Sequence, residues 1–306
     1  MRKKLADKTK ESYTRRDSKS NFKTFLNKEK TEGLQFWWAE KGEHIIDIVP
    51  YFAGKNDPRN VEGDPAYVLE AEVHMNVGPM SDKVVCLGQY NKPCPICEEA
   101  TRLNREGADW KTEIKPLRPS RRALYNVIVR DGGEHEKKGV QILEIAHFFM
   151  ERHLSKIAKD PRGGGFVVFS DPDDGKSISF ERTGVGAENT GYDGHRFVDR
   201  IDPITDKELD DAKCLDDLLD IKTYDEIYEL FHGKDSGAED NSEQEAEQES
   251  EQEDTTESKK TIKKKIKKYK KIKCPGGGKI GKDIDEHDEC DDCEYYDECE
   301  YVADNS

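Results

Sequence analysis

Apolar and polar positions alternate with a period of two over much of the first two thirds of the chain. The clearest runs are HIIDIVPYF (44–52), YVLEAEVHM (67–75) and ALYNVIVRD (123–131). Successive side chains of a strand point to opposite faces, so this alternation predicts β-strands. Shorter runs predict further strands at KVVCL (83–87), VQILEIA (140–146), FVVFS (166–170) and SISFE (177–181).

Three segments have a helical pattern instead. Residues 98–107 end at Gly107, a residue type that often follows the last turn of a helix. Residues 147–160 and the acidic stretch from Leu209 to Phe231 are the other two. Strands outnumber helices and show no strand–helix alternation, which favours a barrel or an α+β fold over a doubly wound sheet. We predict a mainly β fold, an OB-like barrel with a subdomain inserted at about residues 70–110.

The chain is 38% charged and only 33% hydrophobic, which is low for a protein that is folded throughout. The charges fall in blocks. Residues 1–30 carry eleven Lys or Arg and four acids, residues 236–258 carry ten acids, and residues 259–273 carry ten lysines. The predicted parts are a basic N-terminal arm (1–33), an OB-fold core (34–234), a disordered acidic linker (235–258), a lysine-rich segment (259–273) and a small Cys-rich module (274–306).

The sequence also predicts the cellular compartment of the protein. The sequence has no apolar run long enough to span a bilayer, and its N-terminal MRKKLADKTKESYTRR lacks the apolar stretch of a signal peptide. Seven of the eight cysteines fall into two clusters with metal-like spacing, which suits a reducing compartment better than a disulfide framework. We predict a cytoplasmic protein (in the host cytoplasm if viral) that binds no membrane. Cys214, outside both clusters, is predicted to be a small packed residue.

The first cysteine cluster combines one imidazole with three thiols, at His74, Cys86, Cys94 and Cys97. Zinc prefers four nitrogen or sulfur ligands in a tetrahedron, and a C-x-x-C turn can place two thiolates on one metal. A closed set of three cysteines and one histidine leaves no position for water, so the pattern predicts a structural zinc ion. The alternative is a redox pair or two incidental thiols at Cys94 and Cys97. A redox pair would require a βαβ context, which this stretch lacks.

A second cluster near the C-terminus predicts another zinc site. Its four cysteines are Cys274, Cys290, Cys293 and Cys299, again around a C-x-x-C, and His287 is a possible substitute ligand. Fifteen residues separate the first two cysteines, a span found in many zinc ribbons. We expect one structural zinc ion in the chain and a second as a further possibility.

Aromatic residues recur beside basic ones, which predicts binding of single-stranded nucleic acid. Rings can stack on unpaired bases while cations follow the phosphates. Any one of these rings could equally be a core residue, and we expect about half of the aromatic sites to touch a ligand. Two tryptophans in tandem on a strand cannot both face inward, which favours one exposed ring. The predicted DNA-contacting residues are Lys115, Arg118, Arg121, Arg122, Tyr125, Phe180, Tyr192, Trp37 and Trp38.

These motifs together resemble a known family. HIIDIVPYF, the His74, Cys86 and C-x-x-C ligands, the basic run before LYNVIVRD and the later NTGYDGHRF resemble the helix-destabilising single-stranded-DNA-binding proteins of T-even-type phages. The resemblance covers roughly residues 1–232. It implies an OB-fold with a zinc subdomain, a cleft for single-stranded DNA that includes Tyr192, and an N-terminal arm in which Arg2, Lys3 and Lys4 mediate self-association along the strand.

The resemblance implies a non-enzymatic protein that coats and protects unpaired DNA during phage replication, recombination and repair, with replication or recombination proteins as partners of its tail. The ligands here are spaced slightly more closely than in the family. The family tail is acidic, whereas here a lysine run and a second cysteine cluster follow the acidic tract. Two other readings remain open, namely a zinc-containing phage adaptor that binds replication or transcription proteins, and a zinc-stabilised nuclease or recombinase subunit. The sequence lacks the G-x-S-x-G and H-E-x-x-H motifs of common hydrolases.

Overall fold

The computed structural model describes residues 24–159, 163–184, 189–233, 269–274 and 277–282, with Cys299 and Val302. The strands within them are β1 (Gly42–Val49), β2 (Tyr51–Phe52), β3 (Pro65–Ala66), β4 (Leu69–Val77), β5 (Asp82–Val85), β6 (Ser120–Val129), β7 (Val140–Ala146), β8 (Lys176–Thr183) and β9 (Gly191–Asp199). The α-helices are α1 (Lys28–Thr31), α2 (Pro95–Glu106), α3 (Glu151–Ala158), α4 (Asp206–Asp211) and α5 (Tyr224–His232). Within these ranges, no helix has both the length and the apolar character that a membrane crossing requires.

The chain divides into two compact units. The first consists of Met1–Tyr90 and Pro119–Thr223, and the second of Asn91–Arg118 and Tyr224–Ser306. The first unit contains a seven-stranded antiparallel sheet with the order β5-β4-β6-β1-β8-β9, in which β7 pairs with β6, and a separate β2-β3 pair. The second unit contains α2 and α5. The prediction of a mainly β fold with a few helices is confirmed.

Strand β6 is the centre of the sheet because it pairs with three other strands. Its first half pairs with β4, where Leu124 lies opposite Leu69, and its second half pairs with β1, where Val129 lies opposite Ile46. Strand β7 pairs with it from Arg122 to Ile128. The residues from Ala123 to Val129 are all buried. One face of β6 therefore contributes its alternate side chains to one hydrophobic cluster, whereas on the other face Leu124 lies in a second cluster and Ile128 in a third.

Most predicted elements lie where the alternation placed them, with two exceptions among the strands. Residues 166–170 form no strand. Phe166 makes only an isolated bridge to Lys159, and its side chain is 72% exposed. The run follows Gly163–Gly165 and has no neighbouring strand in the described part of the chain to complete a ladder. Conversely, β9 was missed, because GYDGHRFVD has two glycines and no clean alternation and owes its strand form to pairing with β8.

The predicted helical stretch from Leu209 to Phe231 is interrupted. It divides into the end of α4, a 3₁₀ turn at Asp216–Leu218 and α5. The capping box of Thr205 and Glu208 fixes the start of α4. The turn buries Leu218 against the β2-β3 side of the first unit's core.

The boundary of the N-terminal arm also requires correction. Phe25 and Leu26 are 1% and 3% exposed and pack in the same cluster as Leu218 and Leu219. Leu26 forms a bridge to Leu219, and the Asn27 side chain caps α1. Burial of two adjacent large apolar side chains stabilises the fold, whereas an exposed arm would leave them in water. Residues 24–33 therefore belong to the folded core. The predicted arm residues Arg2, Lys3 and Lys4, the acidic linker and most of the lysine-rich segment lie outside the described residues.

Candidate functional site

The four predicted metal ligands of the first cluster come together in the fold. Their side-chain ligand atoms, one nitrogen and three sulfurs, all lie within 4.8 Å of one another. His74 lies in β4 opposite Val84, and Cys86 follows β5 and donates its backbone N–H to the Glu72 carbonyl at 2.8 Å. His74, Cys86 and Cys94 are buried, and Cys97 is half-buried.

Local sequence explains how the C-x-x-C turn forms. Cys94 is the extended N-cap of α2, and Pro95 at the first helical position has the fixed φ that a helix start requires. The backbone N–H of Glu98 then donates to the Cys94 carbonyl at 3.0 Å, which closes the first turn. Cys94 and Cys97 thus stand at a helix N-terminus, where the peptide dipoles favour the anionic thiolate form that binds metals.

The donor set fits a metal ion. A tetrahedral site with sulfur ligands at about 2.3 Å has ligand–ligand edges of roughly 3.8 Å. The 4.8 Å limit on these four atoms is close to that value, so only a small contraction would complete the coordination. Three sulfurs and one imidazole nitrogen suit soft or borderline metals rather than Mg²⁺ or Ca²⁺, which prefer oxygen. The chain therefore contains a cluster that can hold a metal ion.

Three of the predicted DNA-contacting rings belong to the hydrophobic core. Trp37, Tyr125 and Phe180 are at most 2% exposed and pack in one cluster. The Tyr125 hydroxyl also donates to the buried Glu151 carboxylate at 2.8 Å. A ring closed in on both faces cannot stack on a base, so we remove these three residues from the predicted contacts. Trp38 is 52% exposed, which confirms that one ring of the tandem faces outward.

Tyr192 lies in a cluster of aromatic and basic side chains. Its ring centroid is 5.1 Å from that of Phe149 and 5.8 Å from that of Phe180. Burial raises the pKa of Tyr192, and the positive charge of Arg182, which hydrogen-bonds the phenol, acts against this rise together with Arg122. The ring is only partly buried, so one aromatic side chain remains accessible beside two cations.

Two phenylalanines in this cluster were missed from the sequence. Phe148 and Phe149 form the turn between β7 and α3, with ring centroids 5.3 Å apart. Phe148 is 40% exposed, and the guanidinium of Arg152 lies 5.3 Å from its ring centroid. The run HFFMER, with two rings close to an arginine, is the signal that identifies them. Arg182, two positions after Phe180, is likewise absent from the predicted contacts.

The predicted basic contacts have different surroundings. Lys115, Arg118 and Arg121 are exposed. Arg122 is held by Glu144, with its Nε and Nη2 at 2.7 Å and 2.5 Å from the same carboxylate oxygen. Arg122 therefore has a structural role as an ion-pair partner of Glu144.

A second group with possible ligand atoms, Cys214, Asp216 and Asp217, has a structural explanation. The buried Asp216 carboxylate accepts the backbone N–H groups of Gly54 at 2.8 Å and Asn56 at 2.9 Å, and the Cys214 thiol at 3.1 Å. Burial and the nearby Asp216 raise the pKa of Cys214 to about 12. Both carboxylate oxygens already have donors, so this group fastens the loop after β2 and needs no metal.

In the second predicted zinc cluster, only Cys274 and Cys299 lie within the described residues. Cys290, Cys293 and the alternative ligand His287 lie outside them. Comparison with known proteins assigns no family, because neither a protein-family model nor a curated protein matches the sequence. The function is therefore inferred from the chain's own side chains.

Proposed function

We propose that this protein binds single-stranded DNA without acting as an enzyme, as the T-even-type phage proteins that its motifs resemble do. The observation that carries the proposal is the cluster of Tyr192, Phe149 and Phe148 with Arg182. It combines partly exposed rings with cations, which is the combination that holds single strands. Arg121, exposed at the start of β6, adds a further charge.

The physical basis of this function is the difference between unpaired and paired bases. An unpaired base offers its face to an aromatic ring, whereas a duplex covers that face by stacking. Stacking contributes about 1–3 kcal/mol per base, and each phosphate contact releases counterions. A protein that binds only the unpaired form shifts the melting equilibrium towards single strands by mass action. Such a protein protects replication, recombination and repair intermediates.

We assign zinc as the metal of the first cluster and give it a structural role. Zinc is the usual occupant of a tetrahedral site with three thiolates and one imidazole. The ion would fix the positions of its four ligand side chains and would supply no chemistry to a substrate. The sheet with β6 at its centre is consistent with an OB-like barrel, the fold that often carries such an interface.

The remaining roles follow from the same proposal. Arg2, Lys3 and Lys4 would support self-association along a coated strand, and the tail would recruit replication or recombination proteins. The two rival functions, an adaptor and a nuclease subunit, make different predictions about DNA.

Titration of the full chain against a fluorescently labelled oligo(dT) tests the proposal. We expect saturable binding that weakens as salt is raised and that unlabelled single strands displace far better than a duplex of the same length. An adaptor would leave the oligonucleotide unbound. A nuclease would shorten it when Mg²⁺ is added, which gel analysis of the same samples detects.

A further inference from the structure

An apolar run of the first unit is buried on one side and exposed on the other. Its four residues, Phe166 to Phe169, have exposed fractions of 72%, 37%, 66% and 4% in that order. Phe169 points inward, where its ring stacks on that of Phe197 with the centroids 5.1 Å apart. Phe166 and Val168 lie on the opposite side of the run, because successive side chains of an extended segment alternate. The first unit therefore presents an apolar patch, residues 166–168, to solvent.

The sequence of this run is typical of a segment that is covered on both sides. Strands with one face in water alternate apolar and polar residues, whereas strands buried on both faces are continuous apolar runs. FVVF has no polar residue at either outward position. The run is also anchored in the fold. The N–H of Val167 donates to the Ala158 carbonyl at 2.8 Å, and the Phe169 carbonyl accepts the N–H of Lys176 at 2.9 Å. A partner surface would complete the burial of the outward side chains.

The charges at the two ends of the patch have opposite signs. At one end the exposed Lys159 forms an antiparallel bridge with Phe166. At the other end an acidic turn, residues 171–174, follows the run and contains three aspartates, two of them exposed. This turn begins close to Val168, whose carbonyl accepts the N–H of Asp171 at 3.2 Å. The patch is therefore apolar at its centre, positive at one end and negative at the other.

We propose that residues 166–168 form the interface of a twofold dimer, in which a second copy of this chain covers the patch. In a twofold interface the same surface of both copies meets itself. An axis near Val167 brings Phe166 of one copy against Val168 of the other. It also brings Lys159 of each copy to the acidic turn of its partner. The apolar contact supplies most of the stabilisation, and the charges at the rim fix the register.

The charge pattern favours a second copy over other occupants. A lipid surface and a nucleic acid are both negatively charged, so the acidic turn would repel them. A second copy carries the matching charges by symmetry. Three apolar side chains make a small patch, so we expect a weak dimer with an interface below about 1,200 Å². This closed dimer differs from self-association along a coated strand, which continues from one copy to the next.

Sedimentation velocity of the full chain at increasing protein concentration tests this inference. No DNA is added, so the result is independent of the proposed function. We expect a reversible equilibrium between monomer and dimer. Val168→Asp should raise the dissociation constant of the dimer about tenfold or more, because it buries a charge in the apolar contact. Val61→Asp is the matched control, since Val61 is 71% exposed elsewhere in the first unit, and it should dimerise as the unchanged chain does.

Charge reversal tests the twofold arrangement itself. Lys159→Glu and the double variant Asp173→Lys/Asp174→Lys should each weaken the dimer about two- to fivefold, because each places like charges across the axis. All three substitutions in one chain should restore the affinity, since the axis exchanges the two ends of the patch.

Three results would overturn the inference. The first is an unchanged chain that stays monomeric at every concentration, and one that dimerises only after residues 1–23 are removed would identify that segment as the occupant instead. The second is a dimer that persists undiminished in Val168→Asp. The third is a triple charge variant that dimerises no better than Lys159→Glu.

Discussion

The imidazole ring of His195 lies parallel to that of His153, with ring centroids 4.5 Å apart and an angle of 3° between the planes. The His195 ring also stacks with Phe180, with ring centroids 5.6 Å apart. His195 is on β9 and His153 is on α3, so the pair joins these two elements. Burial, with a smaller effect of His153, lowers the pKa of His195 to about 4. The fold therefore favours the neutral ring.

This pair predicts a loss of stability in mild acid. The folded pKa of about 4 is below the ordinary value of 6.5, so the stabilisation is complete above pH 6.5 and is lost as the pH falls towards 4. The loss should reach at most about 3 kcal/mol. Urea unfolding of the unchanged chain and of His195→Phe at pH 7 and pH 4.5 measures it. His195→Phe keeps a stacked ring without a titration and should lose less stability than the unchanged chain.

A matched control uses His232, which is exposed on α5. His232→Phe should keep the full acid sensitivity, because it leaves His195 and the ring stacked on it unchanged. Equal acid sensitivity in His195→Phe and the unchanged chain would contradict the role given to the stacked pair.

A second prediction concerns the first metal cluster. Cys94→Ser should lower the bound metal by one equivalent and lower Tm by about 10 °C, since 1 kcal/mol corresponds to about 2–4 °C in a domain of this size and metal binding contributes several kcal/mol to folding. Metal analysis and thermal unfolding measure the two effects. Cys214→Ser serves as the control and should keep its metal. A Cys94→Ser protein with unchanged metal and Tm would show that the ligands are assigned wrongly.

The metal cluster could be predicted from the sequence because three of its four ligands are close together along the chain. Cys86, Cys94 and Cys97 lie within a dozen positions, and only His74 is brought in by the pairing of β4 with β5. The aromatic cluster was harder, because it depends on contacts distant in sequence. Tyr192 was named, but its neighbour Phe149 comes from another element.

Burial of individual rings could not be deduced from neighbouring charges. Phe180 follows a serine and precedes two charged residues, yet β8 lies between β1 and β9, and the ring is enclosed. Phe25 and Leu26 were assigned to an arm because their surroundings in the sequence are basic. Their partner, Leu219, is nearly two hundred positions away. Local composition describes the average of a segment and does not identify such a partner.

A third prediction separates Asp216 from its neighbour Asp217. Asp216→Ala leaves the N–H groups of Gly54 and Asn56 without their acceptor, which should cost about 1–3 kcal/mol for each group that stays buried. Without the carboxylate, the pKa of Cys214 should fall from about 12 towards its ordinary value of 9.0. Iodoacetamide at pH 8.5 should then label Cys214 faster.

Asp217→Ala is the matched control, because the Asp217 side chain is exposed. It should have little effect on stability and change the labelling of Cys214 far less. Equal effects of the two substitutions on unfolding and labelling would show that Asp216 does not fasten this loop.

A fourth prediction concerns the charges beside the rings. Arg121→Ala and Arg182→Ala should each weaken binding to oligo(dT) and reduce the slope of log K against log salt by about 0.7 for each lost phosphate contact. Arg102→Ala removes an exposed arginine of α2 that is paired with Glu99 and Glu106, and should leave the slope unchanged. A common slope for all three variants and the unchanged chain would place the phosphate contacts elsewhere.

The most direct test of the account is the affinity of Tyr192→Leu for oligo(dT), measured by fluorescence anisotropy at several salt concentrations. Leucine keeps the apolar packing against Phe149 but has no ring face for a base. We expect affinity to fall by about 1–3 kcal/mol with an unchanged salt slope, since stacking releases no counterions. Tyr228→Leu, which changes a 39% exposed tyrosine of α5, should bind as the unchanged chain does. Undiminished affinity in folded Tyr192→Leu would contradict the proposed interface.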